Sequence, residues 1–300
     1  MQSLIYPFTD LHHANDPCSV NTQQQALQGL ENGKVIFLPN VSFSSPFLKQ
    51  ALDDSKRLLH ATHKNISYYH PTQRMGTLKK EAVEEIYTQQ LQSMLGEYAN
   101  YTKNLIDNLF PSYSKNLEWG RTSFRPCEIE KRGGSKRKDD TRLHVDSFSA
   151  SPVYGKRILR VFNNINRYEE PRIWHLGEQF EEIVSRYGPG IPRYNYLVAL
   201  FLRMVRTTKT LRSPYDHYQI YLHDRMKRDN DYQHTVEKER FEFPAHSTWL
   251  VFTDQVSHAA LQGQGLLEQT FYLPVSAMQK PELSPLRQWE KLKGPMKIST

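Results

Sequence analysis

Apolar residues recur along the first third of the chain with helical spacing, interrupted by one short continuous run. The spacing predicts helices over residues 46–62 and 78–109, and Pro111 ends the second. The run VIFLPN at residues 35–40 is typical of a buried strand that stops at Pro-Asn. Residues 1–117 are therefore expected to form a mainly helical N-terminal part.

From residue 118 the pattern changes to short apolar runs between turn residues, which is typical of strands. Helical spacing returns in residues 169–189, 191–206 and 215–227, so we expect a helical insert at about residues 169–235. The polar, basic residues 279–300 are expected to form a tail that wraps the surface or frays. The predicted strands are GRTSFRPCEIE, TRLHVDSF, KRILRVFNNIN, FEFP, STWLVFTD and EQTFYLPV.

The order of these elements predicts an α+β fold in a single domain of residues 1–300. Antiparallel strands after helices fit a double-stranded β-helix (jelly-roll or cupin-like) core over residues 118–278, with N-terminal helices and a helical insert. The apolar run Tyr196–Leu202 is expected to lie in the core, and the alternative is one face of an amphipathic membrane-surface helix. The run is far shorter than the roughly 20 residues that span a bilayer.

Composition narrows the classes of function. Hydrophobic residues make up 38% and aromatic residues 12% of the chain, which allows a sizeable core and is unlike a disordered protein. A formal net charge of +7 favours anionic partners such as phosphorylated lipid, acidic metabolites or nucleic acid. Two cysteines without a C-x-x-C pair argue against a disulfide framework and a thiolate zinc site. Because the N-terminus lacks the pattern of a signal peptide, we expect a cytoplasmic protein.

The segment TRLHVDSF places His144 and Asp146 two residues apart. On a strand, alternate side chains share a face, so this imidazole and carboxylate would point into one cavity while Val145 points away. His258, just after the predicted strand STWLVFTD, can supply a third ligand. Two histidines and one carboxylate on one face of an octahedral metal leave the opposite face open, which is the facial triad of non-haem iron oxygenases.

Other interpretations of the histidines have to be weighed. An H-x-D pair also occurs by chance, with the histidine as a core residue and the aspartate in a turn, but the strand context and the later His258 favour the metal site. His217 and His223 lie six residues apart on a predicted helix, a spacing that does not bring them to one face. We therefore expect these two to be packing or surface residues.

Three segments, TRLHVDSF, RVFNNIN and VFTDQVSHAAL, resemble segments of 2-oxoglutarate-dependent dioxygenases with the double-stranded β-helix fold. More closely, the sequence resembles the Kdo hydroxylase family, where Kdo is 3-deoxy-D-manno-oct-2-ulosonic acid. That similarity runs through most of the chain and includes RTSFRPCEIEKRGGSKRKDD, NNINRYEEPRIWHLGEQFEEI and YDHYQIYLHDRMKRDNDYQ.

The resemblance implies that the protein hydroxylates Kdo at C3, giving the sugar Ko, on Kdo-lipid A or its precursor in lipopolysaccharide biosynthesis. It implies that His144, Asp146 and His258 bind Fe(II), and that 2-oxoglutarate and O₂ are converted to succinate and CO₂. The partners would be a Kdo-containing lipid A glycolipid and the cytoplasmic face of the inner membrane, in peripheral contact, with no nucleic acid.

The sequence departs from the wider superfamily in the cation that binds the far carboxylate of 2-oxoglutarate. Many members place an arginine on the strand after the distal histidine, where this chain reads EQTFY at residues 268–272. A guanidinium suits a carboxylate because its donors form a bidentate fork. The candidates for this role are Arg160 first, then Arg125 and Arg157, with Asn163 and Gln269 as polar partners.

Two basic clusters could recognise an acidic glycolipid or an anionic bilayer surface, although charged loops are commonly just solvated. The cluster in the insert comprises Arg203, Arg206, Lys209 and Arg212. The cluster before His144 comprises Lys131, Arg132, Lys136, Arg137, Lys138 and Arg142.

Three competing functions stay open from the residues alone. The first is an oxygenase of the same class acting on a protein side chain or a small acid. The second is a basic nucleic-acid-binding protein with a degenerate jelly roll, and the third is a non-catalytic carbohydrate-binding jelly roll. Iron binding separates the second from the oxygenases, and consumption of 2-oxoglutarate separates the third.

Overall fold

Two β-sheets form the centre of the fold, which a computed structural model describes for residues 3–54, 59, 63–77, 85–129 and 135–298. The strands are β1 (Ile5–Pro7), β2 (Val35–Leu38), β3 (Ile66–Tyr69), β4 (Arg74–Gly76), β5 (Glu118–Arg125), β6 (Arg157–Asn164), β7 (Arg172–Leu176), β8 (Glu239–Phe243), β9 (Thr248–Phe252), β10 (His258–Gln262) and β11 (Leu266–Leu273). The larger sheet has the order β1-β2-β9-β6-β11-β5-β3-β4, and the smaller has the order β10-β7-β8.

Helices pack against the larger sheet and fill the long connections. They are α1 (Val20–Glu31), α2 (Leu48–Asp53), α3 (Glu85–Leu109), α4 (Phe180–Tyr187), α5 (Tyr196–Met204), α6 (Pro214–Arg228), α7 (Asn230–Thr235) and α8 (Pro285–Lys293). Among the described residues, no helix is both long enough and apolar enough to cross a bilayer. The predicted α+β class with a jelly-roll core is confirmed.

Strand β6 shows how the fold assigns side chains to its layers. Val161 belongs to the core between the larger sheet and the helices, whereas its neighbour Phe162 packs between the two sheets. The ring centroid of Phe162 lies 5.1 Å from that of Trp174 on β7 and 5.3 Å from that of Trp249 on β9. Because strand residues alternate between faces, Arg160 shares the inter-sheet side with Phe162.

The prediction of a strand over TRLHVDSF is wrong. Residues 141–148 form no strand, apart from a single bridge between His144 and His258. The physical reason is that a side chain replaces the neighbouring strand, because the Gln233 amide accepts from the Leu143 N–H at 2.8 Å and donates to the Leu143 carbonyl at 2.9 Å. The backbone at Leu143 is therefore held by a side chain, whereas His144 is held by the backbone of His258.

Other segments also differ from the prediction. Residues 169–189 hold the strand β7 before the short helix α4, which starts at the capping box of Gln179 and Glu182. Residues 1–117 contribute four strands to the larger sheet in addition to their helices. The tail after residue 279 contains α8, whose buried Trp289 donates to Gln219 at 2.9 Å.

The helices predicted at residues 46–62 and 78–109 appear as the shorter α2 and α3. Residues 55–58, 60–62 and 78–84 lie outside the described residues. The expectation that Tyr196–Leu202 lies in the core is wrong, because of the nine residues of α5 only Ala199 is buried.

A buried ion pair joins β6 to the turn after β9. The Arg157 Nε donates to Asp254 at 2.8 Å, both side chains are fully buried, and the guanidinium lies 3.8 Å from the centroid of the Phe252 ring. Burial raises the pKa of Asp254, while Arg157 opposes that rise. The pair therefore depends on both of its partners.

We expect Asp254→Ala to lower the free energy of unfolding by about 3–5 kcal/mol, because it leaves a buried guanidinium without its counter-charge. The exposed pair of Arg240 and Glu242 provides the control, since Glu242→Ala should cost less than about 1 kcal/mol. Urea unfolding followed by circular dichroism measures both changes. Equal losses in the two variants would contradict the special weight given to the buried pair.

Candidate functional site

A cavity of about 710 Å³ lies between the two sheets, and its wall draws on both. Arg160 and Phe162 come from β6, Trp174 comes from β7, and Glu268 comes from β11. The helix α6 contributes one side through residues such as His223. The cavity therefore has rigid strand walls and one helical wall from the insert.

Three potential metal ligands meet in this cavity. Each of the buried residues His144, Asp146 and His258 offers one ligand atom, and the three atoms lie within 4.8 Å of one another. The two histidines are joined by backbone hydrogen bonds of 3.0 and 2.9 Å, and the Asp146 N–H donates to the Thr253 carbonyl at 2.7 Å. The H-x-D segment and the start of β10 thus bring the ligands together.

Hydrogen bonds to backbone carbonyls orient both imidazoles so that the opposite ring nitrogen can bind a metal. The Nδ1 atom of His144 lies 2.8 Å from the Arg142 carbonyl, and that of His258 lies 2.8 Å from the Val256 carbonyl. A carbonyl only accepts, so each Nδ1 carries the proton and each Nε2 keeps its lone pair free. The Trp174 ring stacks on His258 at 5.2 Å between centroids and shields it.

The electrostatics of the three residues suit a divalent cation. Burial lowers the pKa of both histidines, which keeps the imidazoles neutral at neutral pH. Burial by itself would raise the pKa of Asp146, but the charge of Arg160 together with His258 and a hydrogen bond from Thr253 lowers it overall. The buried Oδ2 of Asp146 lies 3.3 Å from the Arg160 guanidinium and accepts no hydrogen bond from any described residue. Two neutral imidazoles and an ionised carboxylate fit a facial metal triad.

Of the three arginines predicted to bind 2-oxoglutarate, two reach the cavity, and both are paired with acidic side chains there. The Arg160 guanidinium lies 3.3 Å from Asp146 and 3.3 Å from Glu268, and Arg125 lies 3.0 Å from the other oxygen of Glu268. Glu268 is itself buried. Most of the positive charge of Arg160 is therefore already compensated inside the protein.

Arg157, Asn163 and Gln269 do not reach the cavity, which corrects their assignment as cofactor-binding residues. The two β6 residues differ from Arg160 by an odd number of positions, so they face the opposite side of the sheet. Asn163 donates to the Thr248 hydroxyl at 2.6 Å, and Gln269 accepts from Thr122 at 2.5 Å. Asn163 and Gln269 therefore bind within the larger sheet, and Arg157 binds Asp254 in the turn after β9.

Arg172 lines the cavity and was missed because its segment was predicted to be helical. The side chain is buried, and its one hydrogen bond to a described residue runs to the Gly263 carbonyl at 3.0 Å. Burial and the neighbouring Arg125 lower its pKa to about 10. The β-branched Ile173 and the aromatic Trp174, which follow Pro171, were the signal that could have placed Arg172 and Trp174 on a strand.

His223 was also missed as a wall residue, because a helical histidine gives no sign of what its face contacts. It lines the cavity with its ring 5.4 Å from that of His144, and its Nδ1 atom lies 3.0 Å from Asp224. His217 lies elsewhere and contacts Tyr221, in agreement with a packing role. Lys227 on the same helix is buried in the wall, 3.7 Å from Asp140.

The basic cluster before His144 is partly held by the insert. Arg137 pairs with Asp224 at 2.9 Å, and the Arg142 Nε donates to the Lys227 carbonyl at 2.5 Å. Lys136 reaches Asn230 at 2.9 Å. Of the described members, Arg137 and Lys138 line the cavity. Lys131 and Arg132 lie outside the described residues.

Comparison with known proteins adds a family to this geometry. The sequence profile of the family described as 3-deoxy-D-manno-oct-2-ulosonic acid (Kdo) hydroxylase matches residues 14–296. Among curated protein sequences no match is found.

Solved structures of the Kdo hydroxylase KdoO, a non-haem Fe(II) α-ketoglutarate-dependent dioxygenase, are similar over nearly the whole chain. The apo structure shares 40% identity, covers 98% of this chain and 97% of its own, and superposes with a TM-score of 0.91. The cobalt(II) complex shares 40% identity, covers 99% of this chain and 98% of its own, and has a TM-score of 0.93. The complex with α-ketoglutarate and Fe(III) shares 40% identity, covers 96% of this chain and 95% of its own, and has a TM-score of 0.89.

Proposed function

The chain belongs to the Kdo hydroxylase family, and we propose that it adds a hydroxyl group to C3 of Kdo on Kdo-lipid A or its precursor, forming Ko. It is an Fe(II)- and 2-oxoglutarate-dependent dioxygenase that hydroxylates Kdo. The observation that carries the chemistry is the convergence of His144, Asp146 and His258 within 4.8 Å. Kdo is a 3-deoxy sugar, so C3 carries the C–H bonds that such an enzyme replaces.

We assign the iron to these three side chains. When bound, iron supplies the redox chemistry by which O₂ and 2-oxoglutarate give succinate, CO₂ and one new C–OH bond on the substrate. The chain contributes orientation, since carbonyls hold both imidazole rings and Arg160 holds the carboxylate of Asp146. The indole of Trp174 keeps water from one side of His258.

We assign the far carboxylate of 2-oxoglutarate to Arg172. Arg160 and Arg125 are the weaker candidates because they already pair with Asp146 and Glu268. Arg172 is a buried cation in the cavity wall without an ion-pair partner among the described residues. A buried guanidinium in that state favours an anion with a flat, two-oxygen end.

We further propose that cations at the cavity mouth bind the acidic substrate. Kdo carries a carboxylate and lipid A carries phosphates, so the side chains of Arg137 and Lys138 offer complementary charge. A lipid-linked substrate also requires peripheral contact with the cytoplasmic face of the inner membrane. Cys18 and Cys127 are not joined by a disulfide, which agrees with that reducing compartment.

Mass spectrometry with a labelled substrate tests the proposal. Metal-loaded protein with 2-oxoglutarate and O₂ should add one oxygen to a Kdo-lipid A whose Kdo carries deuterium at C3, with loss of one deuterium. Retention of all deuterium in an oxygenated Kdo would move the hydroxylation away from C3. Conversion of 2-oxoglutarate without change to the lipid would mean a different substrate.

A further inference from the structure

Helix α5 exposes an apolar face that the fold leaves uncovered. Of the eleven large apolar side chains that are exposed in the described part of the chain, six lie within Tyr196–Val205. The face has the i, i+4, i+7, i+8 spacing of a single helical stripe and consists of Leu197 (72% exposed), Phe201 (57%), Met204 (66%) and Val205 (50%). So large a patch marks an interaction surface.

The charged residues in the segment that carries this face are all of one sign. Residues 191–215 contain no aspartate or glutamate. The same segment contains Arg193, Arg203, Arg206, Lys209 and Arg212. An isologous contact between two copies would bring these cations together, which argues against a second copy of this chain as the occupant. An apolar stripe bordered by cations instead matches a bilayer surface with anionic headgroups.

The segment is attached to the wall of the candidate active site. The Lys209 N–H donates to the Ala150 carbonyl at 2.9 Å, and the Arg212 guanidinium donates to the Ser149 carbonyl at 3.1 Å. Ser149 lines the cavity and follows the ligand Asp146 by three residues. The apolar face and the cavity are thus parts of one continuous structure.

We propose that α5 is a membrane-docking helix whose apolar face enters the headgroup region of an anionic bilayer while the flanking cations contact the headgroups. At nine residues it is about 14 Å long, so it lies on the membrane and does not cross it. The inference rests on the proposed function, since it supplies the surface from which a lipid-linked sugar would reach the cavity. Tyr196 at the start of the helix suits the interface, where tyrosine is enriched.

Vesicle flotation of the metal-loaded full chain tests the docking helix without any substrate. Wild-type protein should float with phosphatidylcholine vesicles that contain phosphatidylglycerol, and less with phosphatidylcholine alone. The double variant Leu197→Ser, Phe201→Ser should lower the partition coefficient by about 30-fold. The matched control is Val20→Ser, Ile86→Ser, which removes two apolar side chains of similar exposure elsewhere (69% and 59%) and should float as wild type does.

Several results would overturn the proposal. One is wild-type protein that does not float, and another is an equal loss in the two double variants. Binding that ignores phosphatidylglycerol would remove the role of the cations. Wild-type protein that sediments as a dimer, and becomes monomeric in the Leu197→Ser, Phe201→Ser variant, would give the face to a second copy.

A spectroscopic readout covers the case in which the double variant fails to fold. Phe201→Trp keeps the apolar character, and its added fluorescence should shift to the blue on vesicles and be quenched by brominated lipid; no shift and no quenching would overturn the proposal.

Hydroxylation of Kdo-lipid A in detergent micelles should be equal in wild type and in the Leu197→Ser, Phe201→Ser variant, and lower in the variant on vesicles. Flotation without hydroxylation in either medium would refute the proposed function but would still support membrane docking by α5.

Discussion

Replacing His258 with alanine is expected to remove iron binding and abolish hydroxylation. The ring supplies one of three ligand atoms that lie within 4.8 Å, and the remaining two leave the metal without its facial triad. Loss of a residue that merely orients a ligand costs about 10–100-fold, so loss of the ligand itself should cost more than about 100-fold in turnover. Metal analysis after anaerobic loading and a succinate-release assay measure the two effects. His144→Ala and Asp146→Ala should behave in the same way.

The matched control is His246→Ala, which removes an exposed histidine that pairs with Glu169 at 3.0 Å on the surface. This variant should bind one iron and turn over at the wild-type rate. Circular dichroism should show that all the variants keep the wild-type fold, since the larger core clusters contain none of the three ligands. Full activity in any ligand variant would refute the assignment.

The shared direction of the candidate ligands His144 and Asp146 was predictable because the two residues are neighbours in the chain. His144 and Asp146 needed only a two-residue spacing, and they point into one cavity even though their segment forms no strand. Backbone hydrogen bonds join His144 to His258 and Asp146 to Thr253, and the Gln233 side chain binds Leu143 in place of a strand neighbour. A local pattern can specify side-chain direction without specifying which group completes the hydrogen bonding.

The alternation of side chains along a strand could also have sorted the arginines predicted to bind 2-oxoglutarate. Arg157 and Arg160 lie three positions apart on β6, and an odd separation on a strand excludes a shared face. The sequence alone thus contained the reason to separate them. The compensation of Arg160 by Asp146 and Glu268 was out of reach, because it depends on β11 pairing beside β6.

The prediction that the residues of helix α5 lie in the core was wrong for a different reason. An apolar run of the length of Tyr196–Leu202 is compatible with the core and with a surface that binds something apolar, and periodicity does not separate the two. The absence of acidic residues from 191–215 was the feature that distinguished them, because a core segment has no need of five flanking cations.

Replacing Arg172 with methionine should weaken 2-oxoglutarate binding by about 30- to 3000-fold. Truncating one partner of a buried charged pair costs about 2–5 kcal/mol, and each 1.4 kcal/mol is a factor of ten. Calorimetric titration of 2-oxoglutarate into cobalt-loaded protein measures the change. The control is Arg240→Met on the neighbouring strand β8, because that arginine is half exposed and pairs with Glu242 at 2.7 Å. It should leave the affinity unchanged.

The stability of the cofactor-free protein decides whether Arg172 binds an anion or only supports the fold. Its buried guanidinium has one hydrogen bond to a described carbonyl, so methionine of similar length should leave the urea midpoint unchanged or raise it. Saturating 2-oxoglutarate, at about 100 times its dissociation constant, should then stabilise wild type by about 2.7 kcal/mol and the variant far less. A variant that loses stability without ligand and gains the full increment with it would make Arg172 a structural residue. The far carboxylate would then belong to Arg125 or Arg160, the two arginines of the larger sheet that line the described cavity.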